Sequence, residues 1–273
     1  MNSRLILFVT CLTLSMFILS FFSFSGELKE KLIAYWSFDT GSGDEATDDS
    51  GNGRNGTLVG PKWASGKFGS ALEFDGVDDY VDLAKTSANL FDGIAEFTLT
   101  AWVKPVHKGA NDWPAILQKY QGSVWNDMPW VGYYESKDQW AWEITTDKAE
   151  NMYRETGVKV SFDVFSYVAF TVDIPDKVSK FYLDGKREDE FKMAISGTKM
   201  SSNPDGGSSK ISIGAIRYAG GNCWFGAIDE LRIWSRVLDA DEIKKNMETE
   251  GKQLLAIERK GKLTTTWGGI KAQ

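Results

Sequence analysis

The chain has 273 residues, of which 13% are aromatic and 25% charged, with 27 glycines, 11 tryptophans and a formal net charge of -7. That length suits one large β domain or two small ones, and the aromatics and glycines favour strands and tight turns over a helical bundle. The acidic balance argues against a nucleic-acid-binding surface.

The chain opens on a targeting pattern. Arg4 precedes an apolar run from Leu5 to Phe22, and Ser23, Phe24 and Ser25 supply small residues at a cleavage-type spacing. Segment 1–25 therefore reads as a secretory signal peptide or, if uncut, an N-terminal membrane anchor. The expected location is secreted, extracellular or in the cell envelope, with any membrane contact made through that segment alone. Cys11 lies inside it, which leaves Cys223 with no partner for an internal disulfide in the mature chain.

Leu32–Phe38 is predicted as the first strand, with Leu32, Ala34, Trp36 and Phe38 alternating. Residues 47–56 are a run of turn formers with little to bury, Thr57–Val59 is a short strand, and residues 63–69 read as a second turn region. Ala71–Asp75 and Tyr80–Leu83 are predicted to form a hairpin around Gly76–Asp79, with carboxylates crowded at its tip. Phe97, Leu99, Ala101 and Val103 alternate with Thr98, Thr100 and Trp102 up to Pro105, which ends that strand. Ala115–Lys119, Trp130–Tyr134 and Gln139–Ile144 are further strands, and Trp113 and Trp125 lie in loop-like surroundings between them. Val164–Asp173 and Val178–Leu183 follow, the latter turning at Asp184-Gly185, a favoured hairpin pair.

Phe225–Trp234 reads as the closing strand. Regular alternation puts Ala227, Asp229, Leu231 and Ile233 on one face and Ile228, Glu230, Arg232 and Trp234 on the other. One helix follows, with Asp239 as N-cap and Glu242 at the capping-box spacing. About a dozen short strands separated by turns, then one short C-terminal helix, predict an all-β, two-sheet antiparallel sandwich or jelly roll. Residues 249–273 read as a C-terminal extension.

Five segments in order carry a resemblance. They are Tyr35–Asp39 with Gly41-Ser-Gly43, Asp49–Gly53 and Gly56–Leu58; Gly66–Gly76 with Asp79–Val81; Phe97–Pro105; Phe181–Gly185; and Ile211–Gly214 with Phe225–Lys244. Together they resemble LamG-like jellyroll domains over about residues 32–248. The resemblance implies the concanavalin A-like lectin/glucanase architecture, a β-sandwich. It leaves the ligand open, because that fold hosts lectins, hydrolases and adhesion modules alike.

The residues offer three kinds of candidate site. For catalysis, the paired-carboxylate spacing of retaining glycosidases is missing: Glu143–Asp147 does not fit it, and the single histidine, His107, stands far from any marked serine. A non-catalytic protein is expected, with a glycoside hydrolase or a purely structural adhesion domain as alternatives. For a metal, a carboxylate aimed at an apolar face needs hydrogen bonds or a cation to offset its desolvation. Asp39 ends the first strand and Asp229 lies in the last, where the resemblance implies a structural calcium ion (Ca2+). Asp49 and Asp75 are further candidate ligands. For a ligand, aromatic faces stack on sugar rings, and Trp113, Trp125, Trp130 and Tyr134 are the candidates, whereas Trp140 and Trp142 are expected in the core. The expected partner is a carbohydrate or an extracellular protein.

Overall fold

The computed structural model describes residues 30–107, 113–121, 129–202, 209–215 and 223–251. Two compact units divide the chain. The unit formed by Lys31–Met247 holds the sandwich. The other joins Met1–Glu30 to Glu248–Gln273, and among its residues only 30 and 248–251 are described. The predicted signal peptide or anchor at 1–25 and almost all of the predicted C-terminal extension therefore lie outside the described residues.

Among the described residues, sixteen strands build two antiparallel sheets. The first sheet contains β1 (Leu32–Trp36), β4 (Lys62–Ser65), β5 (Ser70–Asp75), β7 (Glu96–Pro105), β12 (Ser166–Asp173), β13 (Val178–Leu183), β14 (Lys186–Lys192) and β16 (Phe225–Trp234). Its order is β14-β13-β12-β7-β16-β5-β4, with β1 also paired to β16. The second contains β2 (Glu45–Ala46), β3 (Gly56–Val59), β6 (Tyr80–Asp82), β8 (Ala115–Gln121), β9 (Pro129–Tyr134), β10 (Gln139–Thr145), β11 (Asn151–Lys159) and β15 (Ser209–Ile213). Its order is β11-β10-β9-β8-β15-β6-β3-β2. A one-turn helix, α1 (Ala84–Ser87), follows β6, and α2 (Ala240–Glu248) follows β16.

The core lies between the sheets. Trp36, Phe74, Leu99, Phe170, Phe181, Leu231 and Ile233 meet Val81, Leu117, Val131, Tyr133, Trp140, Trp142 and Ile144 in one buried cluster. Trp140 and Trp142 are core residues, as their shared strand face predicts. At the sheet edges, Arg154 on β11 forms a two-pronged ion pair with Asp189 on β14, at 2.9 and 3.1 Å.

Three predicted details are corrected. First, Ala71–Asp75 and Tyr80–Leu83 do not pair with each other. β5 pairs with β4 and β16, whereas β6 pairs with β3 and β15, so the Gly76–Asp79 turn carries the chain from one sheet to the other. Second, part of the turn region at 63–69 is a strand: β4 runs along β5 from Lys62 to Ser65. Third, Asp229 does not share a face with Leu231 and Ile233. The register of β16 against β7 shifts between Asp229 and Arg232, and Glu230 adopts a positive φ of 53°. This bulge adds one residue, so Ile228, Leu231 and Ile233 all reach the core while Arg232 and Trp234 point out.

The outward face of the first sheet is sealed. Trp102, Tyr167, Ala169, Tyr182 and Trp234 pack there with Leu238 and Ile243 from the α2 region. The helix starts as its sequence predicts. Glu242 N–H donates to Asp239 Oδ1 at 2.8 Å, and Asp239 N–H donates back to Glu242 Oε2 at 2.9 Å, which satisfies two end amides reciprocally.

Candidate functional site

The outward face of the second sheet is built differently. Cross-strand register places Ala115, Gly132 and Ala141 side by side on β8, β9 and β10, with Glu155 of β11 next to them. Three small residues in a row leave a trough across the sheet. The segment Trp113–Pro114 lies along it, and a Cβ added at Gly132 would meet the Pro114 carbonyl oxygen at 1.9 Å. Any side chain at position 132 would therefore lift this segment off β9.

Trp113 fills the trough and gathers the aromatics around it. It stacks on Tyr134 with centroids 4.3 Å apart and planes 15° apart. Trp130 and Tyr153 meet it edge-on at 5.7 and 5.1 Å. The indole N–H of Trp130 donates to the Trp113 carbonyl at 3.2 Å, which ties the segment to β9. Trp113 and Tyr134 stay partly exposed, while Trp130 is buried beneath them. Of the four predicted ligand residues, Trp113, Trp130 and Tyr134 come together here. Trp125 lies outside the described residues.

Beside the trough runs a second row: Gln118 on β8, Trp130 on β9, Glu143 on β10 and Tyr153 on β11. Glu143 is thus flanked by two aromatic residues of the same face. Thr145 Oγ1–H donates to Asn151 Oδ1 at 2.9 Å, and the Asn151 amide donates to Glu143 Oε1 at 2.6 Å. That relay orients the carboxylate. Burial raises the Glu143 carboxyl above the usual range, and the Asn151 hydrogen bond only partly offsets this. Glu155 is held by Lys137 Nζ at 2.8 and 3.1 Å, and the same ammonium lies 5.5 Å from the Tyr134 ring. Burial is the main cause that pushes the Tyr153 phenol upward, and Glu155 adds to it. In the sequence, Glu143 stands out only as failing a glycosidase spacing. The polar alternation of Gln139, Ala141, Glu143 and Thr145 against inward Trp140 and Trp142 was the available signal for this face.

The predicted metal ligands fall in separate places. Asp39 and Asp229 both face the Gly66–Ser70 turn: Asp39 Oδ1 accepts from Ser70 N–H at 3.1 Å, and Asp229 Oδ2 accepts from the N–H groups of Lys67 and Phe68 at 2.8 and 3.0 Å. Gly66 permits the approach, since a Cβ there would lie 2.6 Å from Asp229 Oδ2. Asp229 is fully buried, and its Oδ1 has no hydrogen-bond partner. Burial pushes its carboxyl up to about 8, with Glu230 and Asp39 adding to the rise against the two amides. This chemistry fits a hard cation, because a buried carboxylate oxygen lacking a donor is what such an ion would satisfy. Asp49 stands nearby and accepts from Ser37 Oγ–H at 2.6 Å, while Ser37 Oγ accepts from Asp39 N–H at 3.2 Å.

Asp75 belongs elsewhere. It is the register partner of Phe225, four residues before Asp229 on β16, or roughly 13 Å along the strand. One ion cannot take both. Asp75 instead groups with Asp78 and Asp79, whose ligand atoms lie within 4.8 Å of one another and are able to hold a metal ion.

Two stacked antiparallel sheets, with the first and last strands side by side and an aromatic outer face, define a lectin-like jellyroll. The chain belongs to the concanavalin A-like lectin/glucanases superfamily, whose family model matches residues 75–244. No protein of curated function matches the sequence. Several solved structures share the fold. Domain 4 of AbnA, an extracellular GH43 arabinanase from Geobacillus stearothermophilus solved with arabinotriose, is 18% identical over 80% of this chain and 98% of its own, with a TM-score of 0.58. The binding domain of Paraclostridial Mosquitocidal Protein 1 is 17% identical over 81% of this chain and 52% of its own, also at 0.58. The CBM40 of Ruminococcus gnavus IT-sialidase, solved with α2,3-sialyllactose, is 18% identical over 64% of this chain and 95% of its own, at 0.51. At these identities the likeness is one of fold.

Proposed function

We propose that this chain is an exported, non-catalytic carbohydrate-binding module whose ligand lies on the outward face of β8–β11. The observation that carries this reading is the partly exposed Trp113–Tyr134 stack beside the half-buried, oriented carboxylate of Glu143. Sugar rings offer C–H faces to indole and hydroxyl groups to a carboxylate, so a platform and an acceptor side by side match both halves of that chemistry. The sugar-bound relatives named above support a carbohydrate over an extracellular protein as the partner. Export rests on the N-terminal pattern at residues 1–25. A calcium ion held by Asp39 and Asp229, with Asp49 close by, would fix the first strand to the last and would act on stability.

Substituting Trp113 with Ala is expected to abolish glycan binding, read by calorimetry or on a glycan array, while the far-ultraviolet spectrum is retained. Full binding by that variant would rule out the platform. A second reading draws on Glu143 and Glu155, which are diagonal neighbours on adjacent strands, with Cα atoms about 7–8 Å apart. A carboxyl raised by burial beside one paired to lysine is the asymmetry a glycoside hydrolase uses. Release of reducing ends from a bound glycan by the parent protein, and none by E143Q, would select hydrolysis over binding.

A further inference from the structure

The charge on the aromatic face is uneven, and among the described residues one carboxylate on it has no counter-ion. Glu155 is neutralised by Lys137. Glu143 has no basic partner among the described residues: its only hydrogen bond there is the neutral amide of Asn151 on Oε1, which leaves Oε2 to accept from a ligand. Among the described residues, three basic side chains of this sheet are committed or distant. Lys137 is bound to Glu155, and Lys159 donates to the Lys137 carbonyl at 2.7 Å. Lys210 stands on β15, three strands from β10, or roughly 14 Å away across the sheet. The row that holds Glu143 is otherwise uncharged: Gln118, Trp130 and Tyr153.

We propose that Glu143 makes this face selective for uncharged glycans, accepting hydroxyl hydrogens through Oε2 and rejecting sialylated and uronic-acid sugars by like-charge repulsion. The inference rests on the carbohydrate reading above. It sets this chain apart in chemistry from the fold relative solved with sialyllactose. Repulsion is strong here because the carboxylate is half-buried between aromatic rings, where water screens it less than at an open surface. Selectivity of this kind comes from an unfavourable contact built against the wrong ligand as well as a favourable one for the right ligand.

The test uses the full chain and matched pairs that differ in charge: lactose beside α2,3-sialyllactose, and neutral hexose or pentose trisaccharides beside their uronate counterparts. The parent protein should bind a neutral member and discriminate against its acidic counterpart by about tenfold or more. E143Q should shift the ratio of acidic to neutral affinity towards unity, because Gln keeps the shape and an acceptor but removes the charge. W113A run in parallel reports on the site itself. If the parent protein binds acidic and neutral members alike, or E143Q leaves the ratio unchanged while W113A still removes binding, the selectivity is overturned and the site stands. If no glycan of either kind binds the parent protein, the carbohydrate reading and the selectivity fall together.

Discussion

The two outward faces of the sandwich solve one problem in opposite ways. A sheet buried on one side has a second face to dispose of. On the first sheet, α2 closes over it, and the strands beneath carry large aromatics and a buried polar network. Arg232 donates to the Asn246 carbonyl and to its Oδ1 at 3.0 and 2.8 Å, and pairs with Glu230. Tyr35 O–H donates to Glu230 Oε2 at 2.9 Å, and Tyr167 O–H donates to Asn246 Oδ1 at 2.6 Å. Burial alone would lower the Arg232 guanidinium, yet Glu230 and the two tyrosines hold it above its usual value. On the second sheet no helix among the described residues closes the aromatic region. Small residues let Trp113 lie directly on the strands, and the Trp113, Tyr134 and Tyr153 rings stay partly exposed above the buried Trp130. A buried charge network whose residues bond to one another fixes one arrangement, whereas a shelf of rings leaves area for a partner. The difference separates a structural face from a recognition face within one fold.

The largest effect should come from breaking the sealed face. R232A strands Glu230 as a buried, uncompensated charge, and the expected loss is about 3–5 kcal/mol. Denaturant titration would read it, and an unchanged midpoint would mean that the network contributes little to closing the helix onto the sheet.

Asp229 comes next. A carboxyl raised from 3.8 to about 8 keeps its proton in the folded chain over a range where the unfolded chain has lost it. In the ion-free protein the Asp229 contribution to stability is therefore greatest below about pH 4 and declines as pH rises towards 8. D229N should flatten that decline and add a few kcal/mol at pH 8 in chelator. In the parent protein, calcium should raise the melting temperature at pH 8 and have little effect on D229N. Equal melting curves with calcium and chelator would remove the metal.

W113A should cost only about 1–2 kcal/mol, since the ring is partly exposed at the edge of a small cluster. A cost as large as that of R232A would make the aromatic face a second structural seal and erase the contrast drawn here.

The smallest effect concerns Glu150, which accepts from the N–H groups of Ser196 and Gly197 and from the Ser196 and Thr146 hydroxyls. These bonds hold its carboxyl at about 2, below the ordinary 4.5. A depressed carboxyl stabilises the fold above pH 4.5 and loses that effect as pH falls from there to about 2. E150Q should flatten this acid limb in thermal melts, and an identical limb would place the pH dependence elsewhere.

Much of this protein was written into the order of its residues. The strand alternation of Phe97–Val103, the Asp184-Gly185 turn with φ of 50° and 78°, and the capping box of Asp239 and Glu242 are local devices, and each appears where its residues predict. Local steric and hydrogen-bonding rules settle such features within a few residues. Partnership between distant segments was not legible in the same way. The Gly76–Asp79 turn looks like a hairpin tip, and only the pairing of β5 with β16 and of β6 with β15 shows it crossing between sheets. Residues 47–56 looked like a plain turn, yet Asp48 is buried and its carboxylate accepts from the N–H groups of Tyr35, Ser50 and Arg54. The aromatic candidates could be named from their number, but the row Ala115–Gly132–Ala141 that seats Trp113, and the place of Glu143 beside it, depend on registers between strands. The bulge at Glu230 turns Asp229 to the opposite face from the one alternation predicts. A period-2 pattern carries no information about where one residue is inserted. Sequence determined which elements form and which residues want burial; the pairing of strands decided which side chains meet, because that choice is made by contacts far apart along the chain.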